Sequence, residues 1–141
     1  YFAVQIHDVF KNGRYKVLNK LGFGGFSTIW AAQDNLDDKI VSLKVIRAKE
    51  SSSNRELAIL QRIQESTLQH PGRDHVVQLL DHFYEEQFGR KNLFIVLEFL
   101  GPSVYSVLQE RLDLPFSQQL SRQLLLAVDY LQSLGIAHGG K

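Results

Sequence analysis

The chain has 141 residues, 44% of them hydrophobic and 22% charged, which is the balance of one soluble globular domain with a core rather than of a disordered segment. Sixteen basic against fifteen acidic side chains leave a formal charge of +1, too weak a field to point to nucleic acid or an anionic membrane surface as partner. The absence of cysteine removes disulfides, thiolate metal sites and cysteine nucleophiles together and fits a reducing compartment. No methionine occurs and the first residue is Tyr1, so the chain reads as an excised or partial product. Its longest apolar runs, such as 93–97, fall far short of the roughly 20 residues that span a bilayer, so no transmembrane segment is expected.

In chain order, an amino-terminal stretch ends at the turn signal Asn12-Gly13. Residues 15–21 and 27–33 then read as antiparallel strands joined by a turn at 23–26, and the β-branched run 40–46 as a third strand. After Ser51-Ser52-Ser53-Asn54, apolar residues recur at helical spacing over 56–63. His70-Pro71-Gly72-Arg73-Asp74 breaks the pattern. Residues 76–80 and 93–97 read as two more strands, flanking a polar segment at 85–92. Beyond Gly101-Pro102, residues 104–112 and 118–134 carry helical spacing, most clearly through Leu120, Leu124, Val128 and Leu131. The expected architecture is α+β: a five-stranded antiparallel sheet with one helix over 1–100, then two helices over 101–141. The apolar stripe of the second helix predicts an aggregation-prone or partner-dependent chain.

The chemistry concentrates in a glycine-rich turn, Leu21-Gly22-Phe23-Gly24-Gly25-Phe26-Ser27-Thr28-Ile29-Trp30, and in Lys44, about 20 residues further on. Glycines are also the common solution for tight hairpins, so the turn alone decides little. A dinucleotide-binding fingerprint would lead into a helix and want an acid at the distant position; here a strand follows and the distant residue is Lys44. A phosphate loop of the Gly-Lys-Ser/Thr type does not occur. Lys44 lies between Leu43 and Val45, and an ammonium in an apolar strand is costly to desolvate unless an anion meets it, so phosphate plus a carboxylate fits better than an edge-strand lysine. Glu56 is the candidate carboxylate. It has a second reading, because Ser53-Asn54-Arg55-Glu56 also matches a capping box in which Glu56 serves only the Ser53 N–H. His70, His75 and His82 read as turn or surface histidines, and no metal site is expected.

The order glycine turn, strand lysine, helix glutamate, Leu93-Phe94-Ile95-Val96-Leu97-Glu98-Phe99-Leu100 and Leu126-Ala127-Val128-Asp129-Tyr130-Leu131 resembles the eukaryotic protein kinases over nearly the whole chain. Within them, residues 20–30, with serine at the usual third glycine and a tryptophan soon after, resemble the SR-protein kinases, as do residues 1–15, 75–83 and 98–101. The resemblance implies that Gly22, Phe23, Gly24, Gly25, Phe26 and Ser27 form the loop over the phosphates of ATP, and that Lys44, paired with Glu56, holds the α- and β-phosphates. It implies that Leu21, Ile29 and Ser42 line the adenine pocket, with Leu97 as gatekeeper and the backbones of Glu98 and Leu100 on the adenine edge. It also implies serine/threonine phosphotransfer to Arg/Ser-rich proteins by an intact parent using ATP and Mg2+, without direct nucleic-acid or membrane binding, and cytoplasmic and/or nuclear residence. One departure stands out: His138 is followed by Gly139, Gly140 and Lys141, so an ungapped alignment puts Gly140 where the family carries its catalytic aspartate. Hence this chain alone is expected to be inactive, and a truncated pseudokinase acting as a nucleotide- or protein-binding module is the alternative.

Overall fold

The computed structural model describes residues 2–52, 54–104 and 113–137. Alternation of apolar and polar side chains gives strands β2 (Tyr15–Phe23), β3 (Ser27–Asp34) and β4 (Lys39–Ile46), and a hairpin of β5 (Leu79–Gln87) and β6 (Arg90–Glu98) completes the main sheet. A two-residue strand β1 (Val9–Phe10) adds to its edge, making six strands in the order β1-β2-β3-β4-β6-β5, every pair antiparallel. The sixth strand is an addition to the five expected. Val9–Phe10 is too short to show a period, and its pairing to Tyr15 and Lys16 alone defines it.

The β5–β6 hairpin carries both expected strands on through the polar segment 85–92. Both strands run to a two-residue turn at Phe88-Gly89, with φ of 53° and 68°, the geometry that suits strand twist in a tight hairpin. Its end projects with its side chains toward water, so charged residues enter the strands there. Strand β5 begins at Leu79 rather than at residue 76, and a 3-10 turn at Arg73–His75 precedes it.

The chain divides into two compact units, residues 1–60 with 78–100 and residues 61–77 with 101–141. In the first, one face of the sheet carries the core: Tyr15, Val17, Trp30, Ala32, Val41, Leu43, Val45, Phe83, Phe94 and Val96, closed by Phe2, Val4 and Phe10 from the amino-terminal segment. The rings of Phe2, Phe10 and Phe83 all lie 4.9–5.7 Å from a neighbouring ring around Phe94. A polar network seals its margin. Asp34 accepts from Arg14 Nε at 2.9 Å and Nη2 at 2.8 Å, and Asp81 accepts from the Tyr15 hydroxyl at 2.7 Å and from the Lys11 ammonium. The Arg14 hydrogen bonds hold the Asp34 carboxyl below the usual carboxylate range. Burial would raise Asp81, but the hydrogen bonds from Lys11 and Tyr15 outweigh it and lower it; burial and the bond to Asp81 raise the Tyr15 phenol.

After β4 comes a single helical turn, α1 (Ala48–Ser51), and then α2 (Arg55–Glu65), which begins in the first unit. In the second unit, helix α3 spans Leu114–Ser133. It starts earlier than its periodicity suggested because Asp113 caps it, accepting from Phe116 N at 2.8 Å, and a proline follows in the first turn. It stops where Gly135 takes φ +66° and Gly135 and Ile136 donate to the carbonyls of Gln132 and Leu131, a closure that favours glycine. Tyr130 and Ala127 are buried, whereas Leu124, Leu125 and Val128 are exposed. Beyond Val104, the expected helix at 104–112 lies outside the described residues, as do Ser53 and His138 to Lys141.

Candidate nucleotide site

Strand alternation places the candidate residues. Cross-strand partners share a face, so Ile29 opposite Lys44 and Ala31 opposite Ser42 on β3–β4, with Ile95 and Leu97 on β6, form one continuous face. Trp30, Leu43, Val45 and Val96 point the other way, into the core. Lys44 therefore stands on the face opposite the aromatic core. Its ammonium meets both carboxylate oxygens of Glu56, at 2.6 and 2.8 Å.

Helix α2 can offer that carboxylate because its start is held by another residue. The Asn54 side chain accepts from Leu57 N at 2.9 Å, so Asn54 does the capping at three-residue spacing and Glu56 is committed to Lys44. Of the two readings of Glu56, the ion pair is the one observed; the Ser53 end of the capping box lies outside the described residues.

The glycine turn lies beside this pair. Gly24 N donates to Ser27 O at 2.8 Å, Arg47 N to Phe26 O at 3.0 Å, and the Arg47 guanidinium to Gly25 O at 2.8 Å, so the end of β4 tethers the turn. Gly24, Gly25, Phe26 and Ser27 line a cavity of about 580 Å³ with Lys44 and Glu56. Neither Gly22, Gly24 nor Gly25 has a positive φ, and a Cβ on any of them would meet nothing within 4 Å. Neither a tight turn nor internal packing requires glycine there. What the absent side chains leave is free approach to the backbone from outside.

The remaining candidates fall into two groups. Ile29, Ser42 and Leu97 continue the Lys44 face along the sheet, Leu21 sits half-exposed at an irregularity in β2 between Lys20 and Gly22, and Glu98 and Leu100 lie at and past the end of β6. The Glu98 N–H donates to Gln78 O at 3.2 Å and its carboxylate accepts from Gln78 N at 2.8 Å, which pins that end. Phe23 stands apart. It pairs with Thr28 on the core side, where the Lys20 ammonium lies 5.3 Å from its ring and 5.6 Å from that of Trp30. Arg47 and Asn54 were missed by sequence reasoning. Asn54 was legible as an N-cap residue ahead of an apolar period; nothing local marked Arg47.

An antiparallel sheet with a strand lysine clamped by a helix glutamate beside an open glycine turn defines a class, and the protein kinase domain family matches residues 15–139: the chain belongs to that family. It resembles the SR-protein kinases over nearly its whole length. Protein kinase dsk1 of Schizosaccharomyces pombe is 37% identical over 146 residues, covering 98% of this chain and 27% of that protein. Serine/threonine-protein kinase SKY1 of Saccharomyces cerevisiae is 31% identical, with 93% and 19% covered, and the SRSF protein kinase 3 of Homo sapiens is 34% identical, with 94% and 24% covered. The chain thus spans 19–27% of the length of these relatives.

Proposed function

We propose that the chain is the ATP-binding part of a serine/threonine protein kinase whose whole protein transfers the ATP γ-phosphate to serine in Arg/Ser-rich proteins. The carrying observation is the Lys44–Glu56 pair beneath glycines that the fold itself does not require. Glu56 takes two of the three N–H donors of Lys44 and sets the direction of the third, which is left for a phosphate oxygen. The same anion can approach the backbone of the turn closely because no Cβ stands in the way. Leu21, Ile29, Ser42 and Leu97 would supply an apolar wall for adenine, with Ser42 making it slightly more polar than an alanine would, and the backbones of Glu98 and Leu100 its hydrogen bonds. Among the described residues no three His, Asp or Glu side chains converge as metal ligands, so none is assigned to Mg2+. Cytoplasmic and/or nuclear residence belongs to the same proposal.

The test is titration of the chain with a fluorescent ATP analogue in Mg2+ buffer. Saturable binding that unlabelled ATP displaces, lost in Lys44→Met and weakened in Gly24→Ala with unchanged melting, is the expected outcome. Absence of binding by a folded chain would refute the reading. A nucleotide- or protein-binding module without phosphotransfer is the second reading, and the sequence Gly139-Gly140 after His138 is what favours it. Phosphorylation of an Arg/Ser-repeat peptide by the whole protein, abolished by Lys44→Met, decides against that module.

A further inference from the structure

On the first unit, a groove of about 920 Å³ runs between the Arg47–Ser52 turn and the tip of the β5–β6 hairpin. Its floor is buried and fully bonded. Ser51 Oγ donates to Arg47 O and accepts from Leu93 N, both at 2.9 Å, and Asn92 Nδ2 donates to Ile46 O at 2.7 Å. Both walls are therefore held in place before anything binds.

The walls are mainly basic. Lys49 and Arg90 are exposed and make no ion pair among the described residues, whereas Glu50 is the one acidic residue of the lining. Lys91 adds a third free-standing cation, laid 4.6 Å over the Tyr84 ring. Between these charges stands Phe88, 91% exposed and at φ +53°, a backbone region that a bulky side chain enters only at a cost. Asparagine would suit that turn position better, and Phe88 recovers nothing by burial. A residue that breaks both the local backbone preference and the rule of apolar burial points to a role outside the fold.

We propose that this groove docks an acidic, extended segment of a partner protein, with carboxylates on Lys49 and Arg90 and an apolar side chain against Phe88. A peptide fits better than nucleic acid. The Tyr84 ring is already covered by Lys91, leaving one free aromatic rather than the stacking series that single-stranded nucleic acid uses. A membrane surface is disfavoured too, because the cations line the sides of a groove instead of a flat face. The inference does not depend on the nucleotide reading.

The experiment is fluorescence anisotropy of a labelled peptide of aspartates and glutamates around one leucine, titrated with the full 141-residue chain. We expect saturable binding that weakens with salt, falls about tenfold or more in Lys49→Glu and in Arg90→Glu, and falls also in Phe88→Asn. Phe88→Asn separates binding from folding, since its melting temperature should equal or exceed that of the parent chain. Lack of peptide binding, equal binding by all three variants, or binding of polyuridylate RNA or phosphatidylserine vesicles in place of the peptide would each overturn the proposal.

Discussion

Arg14 provides the sharpest test of how the first unit is held together. Its guanidinium makes two near-parallel hydrogen bonds to Asp34, whose side chain is 2% exposed, while the Arg14 side chain is 26% exposed. The two partners should therefore be unequal when removed. Arg14→Ala leaves a buried carboxylate held only by backbone N–H groups, of Leu36 at 3.0 Å and of Asp37, whereas Asp34→Ala leaves a guanidinium that water already reaches. Breaking a buried pair costs about 3–5 kcal/mol, and partial hydration of Arg14 puts this one near the lower figure, at about 3 kcal/mol. With a urea slope of about 2 kcal/mol per M, the midpoint should fall by about 1.5 M. Trp30, the single tryptophan and part of the same core, reports the transition by fluorescence. Acid gives an independent check. The folded Asp34 carboxyl lies below its ordinary value of 3.8, so its contribution is fully present above that value and drains away as pH falls through it toward the folded one. In Arg14→Ala the loss of stability as pH falls below about 4 should be shallower. If Arg14→Ala costs under about 1 kcal/mol, or no more than Asp34→Ala, or leaves the acid slope unchanged, the reasoning fails.

Three further substitutions test other joints of the structure. Asn54→Ala removes the bond to Leu57 N and should cost about 1 kcal/mol of urea stability, with a larger effect if α2 shifts Glu56 off Lys44. Glu56→Gln keeps the shape of the side chain but not its charge, so on the proposed function ATP affinity should drop by about tenfold while the melting temperature changes little. Gly72→Ala would place a Cβ 1.8 Å from the Leu126 carbonyl oxygen and 2.9 Å from Tyr130 Cβ, so backbone must move; hydrogen exchange should show lost protection along α3, and unchanged protection would contradict the packing.

The sheet was legible where side chains alternate against a single core, as in Val41, Leu43 and Val45 facing in and Ser42 and Lys44 facing out. Lys44 was legible for the same reason, as an ammonium that the pattern could not absorb. The signal failed where no core enforces a period. Charged Glu85, Glu86, Arg90 and Lys91 belong to strands because the hairpin end stands in water, and Phe88-Gly89 replaces the Asn-Gly that would have announced its turn. The α3 start was hidden by Pro115, which reads as a breaker in mid-pattern but is favourable in a first turn. Phe23 enters the candidate site only through the family resemblance, and the cross-strand register sets it, 81% exposed, opposite Thr28.

The aromatic cap from the amino-terminal segment has a practical consequence for anyone who shortens this protein. The kinase-domain match starts at residue 15, yet Phe2, Val4, Phe10 and Lys11 precede it. A chain begun at Tyr15 would strip Phe94 of two of its three neighbouring rings and Asp81 of its lysine. A fully buried ring such as Phe10 is worth about 1.5–3 kcal/mol and the partly buried Phe2 less, against a total stability of about 5–15. The fold thus draws on side chains about a dozen residues ahead of the point where the kinase-domain match begins, and a chain begun at that point should melt at a markedly lower temperature.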